Sequence, residues 1–67
     1  MKYTQPPLKI NCEGLSGKRI QELAEKLRQH FAQVEVWDED IYAGHPFGDF
    51  HYNTAWHIID KYGVKAA

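Results

Sequence analysis

Three histidines, His45, His51 and His57, recur six residues apart in a stretch that also holds Asp38, Asp40 and Asp49. Imidazole and carboxylate are the groups from which zinc and other divalent ions take their ligands, so this set is a candidate centre for a small metal-dependent enzyme. The interval argues against it. Neighbours on one face of a helix stand three or four residues apart and on a strand two apart, so a six-residue step needs a loop to gather the rings. Exposed or core-satisfied histidines are the plainer expectation, and no cofactor is expected.

Other catalytic constellations are sparse. Cys12 is the only thiol and falls in an alternating apolar stretch, which predicts burial rather than nucleophilic use. His45 or His51 with Asp49 could make an acid–base pair, a pattern that chance readily supplies in a loop. Glu13-Gly14-Leu15-Ser16-Gly17-Lys18 puts glycine, serine and lysine ahead of a helix but lacks the spacing of a phosphate-binding loop. A chain of 67 residues hardly encloses a substrate pocket by itself, so the expectation is that the protein is not an enzyme.

Binding chemistry is better represented. Trp37-Asp38-Glu39-Asp40 places an aromatic ring before three consecutive acids, with Tyr42 two residues on. Adjacent carboxylates repel one another. They read either as a solubilising loop that discourages edge pairing or as an acidic patch for a basic surface, with Trp37 or Tyr42 as its desolvated anchor. Phe47, between Pro46 and Gly48, is expected at the tip of a recognition loop, whereas Phe50 and Tyr52 are expected in the core. A nucleic-acid reading rests on Lys18, Arg19, Lys26 and Arg28 along one helix face, interrupted by Glu22 and Glu25.

Eight Lys and Arg stand against nine Asp and Glu, a near balance unlike that of a generic nucleic-acid binder. The balance hides an asymmetry. Residues 1–33 carry six basic and three acidic residues, whereas residues 34–67 carry two and six. Seven of the nine aromatic residues lie beyond the first helix as well. A single cysteine excludes an internal disulfide, no apolar run approaches a membrane span, and the start lacks the apolar stretch of a signal peptide. The chain therefore reads as soluble and cytoplasmic.

The elements that must position these residues follow from periodicity. Pro6-Pro7 favours an extended lead-in, so residues 1–7 are expected to form an irregular arm. Leu8, Ile10 and Cys12 alternate with polar residues and predict a strand that ends at Gly14. Ser16 is a good helix cap, and Leu15 with Ile20 stand where a hydrophobic staple needs them. Ile20, Leu23, Ala24, Leu27 and Phe31 then recur at helical spacing, with Glu22 placed to pair with Lys26. Val34 to Trp37 predicts a second strand, parallel to the first across the helical crossover. A third strand is expected from residues 40–43 or 50–52, through a hairpin over residues 44–49. Asn53 or Thr54 would cap a short C-terminal helix in which Trp56, Ile59 and Tyr62 stand at i, i+3 and i+6, with Gly63 at its end, leaving residues 64–67 as a frayed tail.

The sequence thus predicts one small α+β domain over residues 8–63, of order β-α-β, then a short strand or hairpin, then a helix. Its expected role is that of a small binding or regulatory protein, of the accessory kind that bacteria and phages encode. It would dock on a basic partner protein through Trp37, Asp38, Glu39, Asp40, Tyr42 and Phe47. A homodimer joining the basic helix of one copy to the acidic loop of another is a further expectation.

Overall fold

The computed structural model describes residues 7–66. Its elements run β1 (Leu8–Asn11), α1 (Gly17–Arg28), β2 (Phe31–Trp37), β3 (Asp40–Pro46), α2 (Asp49–Lys61) and β4 (Lys65–Ala66). The arm expected over residues 1–7 lies outside the described residues except for Pro7.

The first half forms for the reasons its sequence suggests. Alternation buries Leu8, Ile10 and Cys12, and Gly14, at φ +99, supplies a left-handed turn that a side chain would strain. The Ser16 hydroxyl accepts a hydrogen bond from the Arg19 amide at 3.2 Å, capping α1. Ile20, Leu23, Ala24 and Leu27 form the buried stripe of that helix. Glu22 does not take Lys26 as its partner; it accepts from the Arg19 guanidinium and the Tyr62 hydroxyl.

The sheet departs from expectation. Its order is β2-β3-β1-β4, and every hydrogen-bonded pair is antiparallel. β1 and β2 do share a direction, since both run antiparallel to β3, but β3 is inserted between them. The β3-α2-β4 segment repeats the arrangement around β1, so two split β-α-β units interlock. The cause is the short turn Asp38-Glu39, which returns the chain directly onto β2. Asp38 takes φ 53 there, a left-handed conformation that Asp tolerates better than most residues. The hairpin therefore closes at residues 38–39, and Gly44, His45 and Pro46, expected in a turn, belong to β3.

At the far end of β3, His45 adopts φ 57 and interrupts the pleat. It stays exposed while Gly44 and Pro46 on either side are buried, and Pro46 lies opposite the buried Phe31. Phe31 thus begins β2 rather than ending α1. α2 starts at Asp49, well before Asn53, and Gly48 at its N-cap position provides no side-chain cap. The Thr54 hydroxyl donates to the Phe50 carbonyl at 2.7 Å instead of capping. Its buried face is Ala55 and Ile59, with Tyr52, Ile58 and Tyr62 packed at the margin. Trp56, in line with Ile59 and Tyr62 by its spacing, is 40% exposed and meets Tyr52 edge-on. Phe50, expected inside, is 74% exposed. Gly63, at φ +72, turns the chain into β4, so residues 65–66 of the expected frayed tail are an edge strand.

Both helices cover one face of the sheet, and the core between them holds twelve buried apolar residues and, among the described residues, no buried polar or charged side chain. No helix among the described residues is long and apolar enough to cross a membrane. Leu23, wholly buried, is expected to cost about 2–5 kcal/mol when cut to Ala. That is a large share of the total stability of a small domain, and urea denaturation measures it. Burial, and secondly the charge of Asp40, raises the Cys12 thiol above its ordinary pKa of 9.0. Native protein should therefore react with a thiol reagent at pH 8 far more slowly than urea-unfolded protein. Because the folded value is the higher one, stability should be intact below pH 9.0 and decline above it. Fast labelling of the native chain would contradict this.

Candidate functional site

The helices leave the other face of the sheet open, and strand alternation decides what stands on it. Leu8, Ile10, Ile41 and Ala43 point toward the helices, so Lys9, Asn11 and Tyr42 point away. The register aligns them in rows. Glu35 lies beside Tyr42, which lies beside Lys9; Trp37 lies beside Asp40, which lies beside Asn11, followed by Lys65. A shallow concavity of about 650 Å³ runs over this face, with Trp37, Tyr42, Glu35, Asp38 and Asp40 in its wall.

Trp37 is 62% exposed, an unusual position for the largest apolar side chain in a small domain. It is nevertheless held. Its indole N–H donates to Glu35 at 2.9 Å, and the Gln33 amide donates to the other oxygen of the same carboxylate at 3.0 Å. These two bonds, the Trp37 bond foremost, hold the Glu35 carboxyl below its ordinary pKa of 4.5. Lys9 reaches Asp40 at 4.0 Å and stands 5.9 Å from the centre of the Tyr42 ring. The face thus combines two aromatic surfaces with three carboxylates, against which Lys9 supplies one nearby cation.

The structure brings together four of the six residues expected to bind a partner: Trp37, Asp38, Asp40 and Tyr42. Glu39 shares the hairpin turn, where its carbonyl accepts from the Cys12 amide at 2.8 Å. Phe47 is elsewhere. It follows the opposite end of β3, about 20 Å from Trp37 at the usual rise per residue of a strand. There it is 58% exposed and packs edge-on against His51.

The basic face of α1 is partly neutralised. Arg19 pairs with Glu22 at 2.8 Å and stacks over the Tyr62 ring, and Arg28 pairs with Glu25. Lys18 and Lys26 stay exposed on the same helix. His45, His51 and His57 do not converge, and no group of three potential metal ligands occurs among the described residues. His51 meets His30 instead, with their Nδ1 atoms 3.0 Å apart. Only the other three histidines stand out in the sequence, and nothing in the spacing of His30 from His51, 21 residues away, marks the contact.

Acid should release Trp37. Since the Glu35 pKa is lowered on folding, the contribution of its hydrogen bonds is present above pH 4.5 and lost as pH falls through the depressed value. In a Trp56→Phe background, Trp37 fluorescence should titrate with a midpoint below 4.5 and lose that transition in Glu35→Gln. A midpoint at or above 4.5 would show that the bond does not form in solution.

Compared with known proteins, the chain significantly matches no family model, no curated protein and no solved structure.

Proposed function

We propose that this protein is a non-enzymatic binding module that docks on another protein, with the open sheet face receiving an extended basic segment of that partner. The observation that carries the reading is Trp37, exposed yet pinned by Glu35, beside Tyr42 and among Asp38 and Asp40. An exposed aromatic ring already fixed in one orientation loses little freedom on binding, which is the property of an interface anchor. Arginine suits such a surface best. Its guanidinium stacks on indole and phenol rings and forms paired hydrogen bonds with carboxylates. The carboxylates also steer a cationic partner and exclude an acidic one. Phe47 lies within reach only of a partner that spans both ends of the β2–β3 hairpin.

The local pairing of Arg19 and Arg28 leaves Lys18 and Lys26 as the exposed cations of α1 with no ion pair among the described residues, which disfavours a nucleic-acid partner. The shallow open concavity likewise favours docking over catalysis, since a reacting substrate needs a site that excludes water.

The test is recovery of partners from an extract of the source cells by the tagged protein, read by mass spectrometry. It is followed by affinity measurement with the partner recovered. Trp37→Ala should weaken binding by about 2 kcal/mol or more, the range of an anchoring aromatic residue. Rising salt should weaken it further, while Lys18→Glu with Lys26→Glu should leave it unchanged. Binding untouched by Trp37→Ala overturns the reading. Recovery of nucleic acid that is lost in the Lys18 and Lys26 variant replaces it with the alternative.

A further inference from the structure

At the end of the sheet opposite Trp37, His30 and His51 face each other through Nδ1 atoms 3.0 Å apart, with ring centroids at 5.2 Å and planes inclined at 45°. We propose that this pair is a binding site for a divalent transition-metal ion, taken by the two Nδ1 atoms, with water completing the coordination. The candidate differs from the evenly spaced set His45, His51 and His57, with which it shares only His51.

Distance carries the first step. Two imidazole nitrogens bound to one ion at about 2.0–2.1 Å lie about 2.9 Å apart at a right angle and about 3.3 Å apart at a tetrahedral angle. The observed 3.0 Å falls between these values. The nitrogens point at one another across a shared proton, so each ring must rotate to aim its lone pair at a common point beside the line joining them. The spacing itself hardly changes. Proton accounting is simple for the neutral pair. One ring carries its proton on Nδ1 and donates; on metal binding that proton leaves Nδ1 and an equal one is taken up at Nε2 of the same ring, with no net release.

Anchoring carries the second step. The two histidines come from different elements, His30 from the α1–β2 link and His51 from the first turn of α2. His30 is fixed by backbone hydrogen bonds. The His30 amide donates to the Leu27 carbonyl at 2.9 Å, and the His30 carbonyl accepts from the Phe47 amide at 3.1 Å, which ties the link to the segment leading into α2. Ligands held in place before the ion arrives lose little freedom when it binds. Phe47 and Phe50 both pack edge-on against the His51 ring, each with a centroid separation of 5.7 Å, and restrict its swing. Both histidines are half-buried, so water reaches the remaining coordination positions.

Two nitrogen ligands and no carboxylate select among ions. Copper(II) should bind more tightly than nickel(II) or zinc, whereas magnesium and calcium, which require oxygen ligands, should not compete. Isothermal titration of the full chain with each chloride salt is the experiment. We expect saturable binding of copper, nickel and zinc at one ion per chain, weakened about tenfold or more in His30→Gln and in His51→Gln. His45→Gln and His57→Gln should bind as the parent chain does. Glutamine keeps a hydrogen-bonding group at each position, and circular dichroism checks that the variants fold. A second measurement needs no variant. On zinc addition, the imidazole ¹⁵N resonances of His30 and His51 should move at Nδ1, while those of His45 and His57 stay in place. Absence of saturable binding by any of the three ions, equal binding by the His30 and His51 variants, or zinc shifts centred on the other histidines would each overturn the assignment.

Discussion

The register between β1 and β3 is the constraint on which the remaining architecture depends. Ile10 lies opposite Ile41 and Leu8 opposite Ala43, so that all four side chains meet α1 and α2 on one face of the sheet. Side chains alternate with period two, so the same pairing commits Lys9 and Tyr42 to the other face. A slip of β1 by one residue would place Lys9 beneath the helices and turn Leu8 and Ile10 out into water. The core and the open face are therefore the two sides of one register. Neither could be altered along these strands without disturbing the other.

How far such a fold is legible depends on how local its causes are. β1 and α1 are legible because alternation, the Ser16 cap and the Leu15–Ile20 staple all act within a few residues. The sheet order is not, because the choice of β3 rather than β2 as the neighbour of β1 is a contest between distant segments. The stretch 44–49 misleads for a different reason. Gly44, His45 and Pro46 have turn chemistry, yet His45 absorbs the irregularity in a single left-handed residue and the strand continues through Pro46. α2 was legible only in its second half. Phe50 and Tyr52 resemble strand residues, and the Thr54 side chain, expected as a cap, is used one turn inside the helix.

The candidate site divides along the same line. Trp37, Asp38, Asp40 and Tyr42 are close in sequence on two paired strands, so a hairpin brings them together almost inevitably. Phe47 is also close in sequence, but it follows β3 at its other end and so stands apart. His30 and His51 are the opposite case, adjacent in space through the docking of the link after α1 against the start of α2. No sequence interval encodes such a contact, because it depends on where two helix ends fall once the sheet has set their positions.

Charge follows the same geometry. The two halves of the chain carry opposite net charge, which at the level of sequence suggests contacts between copies. In the fold, much of the basic surplus of α1 is balanced within the helix, through Arg19 with Glu22 and Arg28 with Glu25. Exposed pairs of this kind add little to stability, but they lower the positive field over that surface. On the open face, Lys9 stands near Asp40 and Tyr42, while Glu35 is satisfied by neutral donors from Trp37 and Gln33 and keeps its charge. A carboxylate hydrogen-bonded by neutral groups still projects a negative potential, whereas one closed by a cation projects far less. The acidic character of the protein is therefore expressed where Trp37 is displayed, and the hydrogen bond that orients the indole also keeps an ionised carboxylate beside it.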